Sequence, residues 1–345
     1  MTDRHDPHNP HSHDEDPMSH GDYEDAGGHP VKDQGSVTPG APVGDIALID
    51  TATSAPRTLW GDALRRLSKN KLAIIGLVWL IFIVLVAVTA DLWVPKFFAD
   101  PFAPAFDSLM SPTLPDHPFG TDKLGRDVFS RVIYGARISL VVGIVAVSIS
   151  LFIGLILGAL SGYYSGTVDS VIMRFADVFL AFPYILFAIA LLAVFRSSGS
   201  EFGKGFWPVF IAIGILGWPS IARVFRSSIL SVKEHEYIDA ARAMGGSDRR
   251  IMFRHIMPNA VAPIIVYGTM SVGGAILAEA ALSFLGMGVQ PPTPSWGLML
   301  SEAKSLMFAA PWLTIWPGIA ILTTVLSFVL MGDGLRDALD VKMKD

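Results

Sequence analysis

Cysteine does not occur in this 345-residue chain, which excludes disulfides, thiolate metal sites and a cysteine nucleophile. Charge is also scarce. Asp, Glu, Lys and Arg make up 17% of the residues, against about 25% in ordinary soluble domains, while 51% are apolar and mean hydropathy is +0.48. The phosphate-cradling frame G-x-x-x-x-G-K-[ST] is missing: Gly203-Lys204 is the only Gly-Lys pair, and it stands outside that frame. ATP binding of the P-loop kind is therefore excluded within these residues. The metallopeptidase frame H-E-x-x-H begins at His235-Glu236 but has Asp239 where the second histidine is needed, which weakens an enzymatic reading. The first 56 residues lack the basic start and apolar core of a secretory signal.

Where charge is missing it is missing in long runs, as expected of an integral membrane protein. No charged residue lies within 72–90, 138–168, 178–195, 205–222 or 305–332. The run 256–308 holds only Glu279, Glu302 and Lys304. A spanning helix needs about 20 apolar residues. Six spans are predicted, at 72–92, 138–162, 176–196, 206–224, 259–285 and 313–332. The third and fourth carry Pro183 and Pro219, which kink a span without forbidding it, because neighbouring helices satisfy the freed carbonyls. One re-entrant pair is the other reading of these two. Within and just beyond the second span, Gly154, Gly158, Gly162 and Gly166 recur every four residues, a spacing that suits close helix packing.

The net charge of −5 misleads, because eight acids crowd into the first 30 residues. Residues 1–56 read as a disordered acidic tail, too poor in apolar side chains to offset the entropy of ordering. The tail also holds six of the nine histidines, at positions 5, 8, 11, 13, 20 and 29. Incidental affinity for zinc or nickel follows from such a tract, and no metal site is assigned. Residues 57–135 read as the first span with an outer loop, and 136–345 as a five-helix core. With the N-terminus in the cytoplasm and the tail left out, the inner segments hold sixteen Lys and Arg and the outer ones eight. Both termini are thus predicted to be cytoplasmic.

One polar interruption, at 234–258, falls on the cytoplasmic side. Residues 234–244 are good helix formers, with Ile238, Ala241 and Met244 spaced for one face. Gly245-Gly246 suits a left-handed turn. Ser247 or Asp248 then caps a second helix over 249–257, and Pro258 ends or bends it. Small residues at 240, 241 and 243 allow another surface to approach closely. An amphipathic helix lying on lipid headgroups is the other reading.

Asp239-Ala240-Ala241, three residues, Gly245, nine residues, then His255-Ile256-Met257-Pro258 resembles the coupling motif of bacterial ABC importer permeases. The family pattern is E-A-A, then G, then I-x-L-P. Asp replaces Glu, His replaces Ile and Met replaces Leu, with every spacing kept. Tyr237 ahead of the motif and Asn259 behind it resemble the oligopeptide/dipeptide/nickel branch. The stretches HPFGTDKLGRDVFSRVIYGARISLVVG, at 117–143, and AEAALSFLGMGVQPPTPSWGLML, at 278–300, are similar to outer-loop segments of its C-type subunits.

The resemblance implies an all-α membrane protein of the type I ABC importer permease fold, multi-pass in a bacterial plasma membrane. It implies that Tyr237, Asp239, Ala240, Ala241, Gly245 and Pro258 form the coupling motif that docks on a cytoplasmic ATPase. The implied partners are a second related permease chain, two ATPase subunits or domains that bind ATP and Mg, and an extracytoplasmic substrate-binding protein. Membrane lipid surrounds the chain, no nucleic acid is expected, and no cofactor is held in the chain itself. Oligopeptides or dipeptides are the expected substrates, with nickel chelates or haem as the alternative.

Three further features stand on their residues alone. Gly120, Gly125 and Gly135 with Asp122, Arg126 and Asp127 read as a tight loop whose charges pair locally or meet a delivery protein. Trp296 and Trp312 read as interfacial anchors. Glu279 lies about 20 residues into the fifth span, where an ionisable group must face protein or water. It lines the pathway or bonds neighbouring hydroxyls.

Overall fold

The computed structural model describes residues 59–339, except 99, 114, 116, 198 and 200–204. The reading of 1–56 as an acidic tail lies outside the described residues. Among those described, the regular elements are helices. They are α1 (Leu59–Leu67), α2 (Lys71–Phe97), α3 (Val128–Tyr164), α4 (Gly166–Ala181), α5 (Tyr184–Ser197) and α6 (Trp207–Lys233). After these come α7 (Glu236–Ala243), α8 (Asp248–Ile251), α9 (Met257–Ala260), α10 (Ala262–Phe284), α11 (Trp296–Ala303) and α12 (Trp312–Leu339).

α2 starts where Asn70 accepts hydrogen bonds from the backbone N–H groups of Leu72 and Ala73, satisfying two of the four free donors of a helix start. Its Ala73, Gly76, Leu80, Ile83, Ala87, Ala90 and Val94 are buried, at the spacing of one helix face. Leu72, Ile75, Val78, Phe82, Leu85, Val88 and Leu92 are exposed on the other. A helix apolar all round with one face open is built for lipid or a partner, not for water.

The bundle is organised by α3, which at 37 residues is about 55 Å long, and α6. A Cβ at Gly154 would stand 2.6 Å from Ile221, at Gly158 2.7 Å from the Ala222 carbonyl, and at Gly162 2.9 Å from Ile229. From the other side, Gly214 faces Ile149 and Gly217 faces Ser150. These matches rise together along both helices, so α3 and α6 are parallel, with backbones in close approach. Gly166 is outside this seam. It meets nothing within 4 Å and takes a φ of +59°, turning the chain into α4.

A parallel pair forces the intervening chain to travel back. From the foot of α6 to its head is about 40 Å at 1.5 Å per residue over its 27 residues, more than an apolar bilayer core of about 30 Å. The return is made by α4 and α5, bent by 93° at their junction. The predicted single span 176–196 is corrected here. Pro183 has no N–H and pushes the residue before it out of helical geometry, and Phe182 is extended at φ −88°, ψ 140°. Pro219, by contrast, is buried inside an unbroken α6, which runs on to Lys233 and past the predicted end at 224. Among the described residues, five helices are long and apolar enough to cross a membrane, and the bent pair α4–α5 passes the same test of length and composition only when its two limbs are taken together.

α10 runs antiparallel to α3, with Gly268 near Leu151 and Gly143 near Ile276. α12 runs antiparallel to α10 and α2, with Gly332 on Met270, Gly273 on Val325, Gly334 on Ala73 and Gly76 on Ser327. Crossings therefore alternate, and the molecule has two ends. The described residues of 98–127, together with 285–311, cap the loop end. α1, α7, α8 and the last turn of α12 lie at the other, the hairpin end.

At the loop end Gly120 and Gly125 have φ of +77° and +76°, and Asp122 accepts from the backbone N–H groups of Leu124 and Arg126. Arg126 bonds Asp122 at 2.7 Å and Glu302 at 3.1 Å, and Arg131 reaches Glu302 at 2.9 Å. Two cations and two carboxylates thus neutralise each other across the two outer segments, and Arg131 is 1% exposed. Gly135 belongs to α3 and leaves room for the Trp296 indole. The expectation that Trp296 anchors at an interface is overturned. It is fully buried and donates its indole N–H to the Val132 carbonyl at 2.9 Å. Trp312 is half-buried and donates to the Thr121 carbonyl at 3.3 Å.

Candidate functional site

α6 ends at Lys233, whose ammonium bonds the Tyr163 carbonyl at 2.6 Å and the Ser165 hydroxyl at 3.3 Å, tying it to the foot of α3. After His235 the chain enters α7. Its end is closed by backbone bonds from Met244, Gly245 and Gly246 to the carbonyls of Ala240, Arg242 and Ala241. Such an end needs a left-handed residue, and Gly245 supplies it at φ +79°. Space around Gly245 is open, whereas a Cβ at Gly246 would stand 2.8 Å from the Ala241 carbonyl. The second limb is longer than the sequence predicts. It passes from α8 through a π turn, Met252–Ile256, into α9, with Pro258 directly after the π turn and the helical run continuing to Ala260.

The inner face is apolar and anchored. Ile238, Ile251 and Ile256 are fully buried, and Ala241 and Met252 nearly so. They pack with Ala159 and Tyr163 of α3, with Ile221, Phe225 and Ile229 of α6, and with Ile264 of α10. Tyr163 adds a 2.6 Å bond to Asp248. Met244, expected on the face of Ile238 and Ala241, is 82% exposed, because α7 stops at Ala243 and the turn swings Met244 outward. The outer face carries Tyr237, Asp239, Ala240, Gly245 and Pro258, with Arg249, Arg250, Phe253 and Arg254 on the second limb. Asp239 and Arg242 form an exposed pair at 3.3 Å, a geometry that contributes little to stability.

The sequence motif is therefore split by the fold. Tyr237, Asp239, Ala240, Gly245 and Pro258 are on the outside, while Ala241 is 7% exposed and faces inward, out of reach of an approaching surface. Residues 238, 251 and 256 were not singled out as site residues from sequence. Their signal was present in the isoleucines at helical spacing, but it reads the same in any amphipathic hairpin.

At the loop end Glu279 has no exposed surface. Its carboxyl group faces the hydroxyls of Ser283 at 2.6 Å, Ser295 at 3.0 Å and Ser139 at 3.4 Å. Each of these hydroxyls accepts from a backbone N–H: that of Val289 for Ser283, Leu298 for Ser295 and Trp296 for Ser139. A hydroxyl has one hydrogen, so each serine is free to donate it to Glu279. The group joins α3, α10 and the start of α11 at one point. Among the described residues, no cluster of three His, Asp or Glu is arranged to hold a metal ion.

Residues 154–345 match the family model of the binding-protein-dependent transport system inner membrane component, and 58–112 match the N-terminal TM domain of oligopeptide transport permease C. The chain belongs to this family of transport permeases. The dipeptide transport system permease protein DppC of Alkalihalophilus pseudofirmus is 45% identical over 83% of this chain and 90% of its own length. The glutathione transport system permease protein GsiD of Escherichia coli O6:K15:H31 is 45% identical over 84% of this chain and 92% of its own. Among solved structures, a chain of the inward-facing MetNI methionine ABC transporter covers 60% of this permease at 18% identity and a TM-score of 0.51. That likeness speaks for the fold. The all-α permease architecture expected from the sequence is the one found.

Proposed function

We propose that this permease is one of two related membrane subunits of an ATP-driven peptide importer, and that its hairpin is the docking element for a cytoplasmic ATPase. The names of its relatives, a dipeptide and a glutathione permease, support a short-peptide substrate. An excess of Lys and Arg toward the hairpin end supports a cytoplasmic hairpin and cytoplasmic termini. In this reading ATP and Mg are bound by the partner ATPases, and an extracytoplasmic binding protein delivers peptide at the loop end. Closure of the ATPases moves the hairpin. Because its inner face is packed into α3, α6 and α10, these helices move with it and alternate the pathway between its two openings. Glu279 is read as a fixed part of the wall, holding the loop end together through its three serines, and not as a contact to the substrate.

The observation that carries the docking assignment is the division of one short helix into an anchored face and a free one. It yields a single-residue test, since the chain has no native thiol. Ala240→Cys is exposed and should cross-link to the ATPase in the assembled complex, while Ala241→Cys, one residue on and buried, should not. Absence of cross-linking from Ala240, Tyr237 and Asp239 alike, in complexes that still transport, would remove the assignment.

A further inference from the structure

We propose that α1 and the start of α2 form a binding surface for anionic phospholipid headgroups in the leaflet on the hairpin side. The inference rests on the chain being membrane-spanning and is independent of its substrate. Within seven residues, Arg65, Arg66, Lys69 and Lys71 are all exposed. None of them meets a carboxylate within ion-pair distance among the described residues. Asp337 is engaged by the Asn70 amide at 3.5 Å.

The height of these cations is set by the fold. α1 is held against α12: Ala63 is buried, and the Leu67 side chain lies beside Gly334. Lys71 opens α2, and the exposed apolar row of that helix begins at once with Leu72, 59% exposed, and Ile75, 60% exposed. Leu64, on α1 itself, is 69% exposed. Four cations, unpaired among the described residues, thus border exposed apolar side chains that acyl chains or a partner would cover. Phosphates stand at that border in a bilayer, and the cations are complementary to them. A zwitterionic headgroup offers the same phosphate with its charge cancelled, so the preference is for net negative lipid.

The test uses the full-length chain in its assembled complex. Ser68, exposed between the cations, is replaced as Ser68→Cys and labelled with a fluorophore, with no other thiol in the chain to compete. The complex is reconstituted in phosphatidylcholine vesicles containing headgroup-proximal spin-labelled phosphatidylglycerol or, in parallel, spin-labelled phosphatidylcholine. Each cation near an anionic surface is worth about five-fold in association, and salt screens part of that, so phosphatidylglycerol should quench at a density lower by about ten-fold or more. The preference should vanish in R65Q/R66Q/K69Q/K71Q and shrink in high salt. Equal quenching by both lipids, or a preference unchanged by the fourfold substitution, would overturn the proposal. So would a preference that emerges only after deletion of residues 1–50, since the acidic tail would then be the occupant of these cations. Uptake of peptide is not the readout, so failure here leaves the transport assignment untouched.

Discussion

Gly245 is the position at which backbone geometry alone should decide transport. Its φ of +79° lies in the left-handed region, and nothing stands within 4 Å of where a Cβ would be. A substitution there meets no clash, so its cost is conformational: about 1–2 kcal/mol for an L-residue, more for a β-branched one and less for Asn, which visits this region readily. A cost of that size reduces the population of the native turn about 5- to 30-fold. The inner anchors Ile238 and Ile256 hold both limbs down, so the loss should appear as a misdirected second limb and not as unfolding. We expect peptide-stimulated ATPase activity and uptake in reconstituted complexes to fall in the order Asn, Ala, Val, with Gly245→Val the most damaged and complex yield unchanged. Asn and Val equally inactive would mean that a partner touches this glycine directly and that turn geometry is not the cause. Unchanged uptake by Gly245→Val would refute the hairpin's role.

Gly158→Leu should abolish the close approach of α3 and α6, because the first added carbon already stands 2.7 Å from the Ala222 carbonyl, while Gly318→Ala, inside α12 with open space around it, should leave the melting temperature in detergent unchanged or slightly raised. Glu302→Leu strips Arg131 of its 2.9 Å partner and should cost about 3–5 kcal/mol, with much of the loss recovered in R131M/E302L, as read by thermal unfolding. Glu279→Gln keeps one acceptor oxygen for Ser283 and Ser295 and should retain assembly and most uptake. Glu279→Leu strands three hydroxyls at about 1–3 kcal/mol each and should lower the yield of folded protein. A Gln variant that assembles but fails to transport would instead give the charge a part in moving the substrate.

The spans were legible because their signal is crude: long stretches without charge admit few structures in a membrane. The break at Phe182-Pro183 was not, although Pro183 is visible, because Pro219 in the next helix is equally visible and breaks nothing. The two differ in surroundings. Pro219 is buried against neighbours that hold its helix straight, and Phe182 is exposed. Similarly, three of the four glycines at 154, 158, 162 and 166 form the seam with α6, while the fourth has the same spacing and a turning role that only φ reveals. Trp296 was misjudged for a related reason. An indole near a span end usually sits at the interface, and here the cavity that takes it exists because α3 carries glycine at 135. In the hairpin, spacing located the motif, but it could not tell Ala240 from Ala241.

Packing also indicates which parts must move together. The hairpin's buried residues touch α3, α6 and α10, and the glycine seam binds α3 to α6, so these form one body at the hairpin end. α4 joins this body through Ala176, which packs with Trp218 and Ala222 of α6, and through Phe175 and Phe179, whose rings lie against Trp218. Ion pairs reinforce the contact: Arg226 to Asp169, 2.6 Å at both oxygens, and the exposed Arg223 to Asp177. Under the proposed docking, a push on the hairpin should therefore be carried by α3, α6 and α10, with α4 following α6. The bend at Phe182-Pro183, where the helix is interrupted and Phe182 is exposed, is then where relative motion within this chain is cheapest.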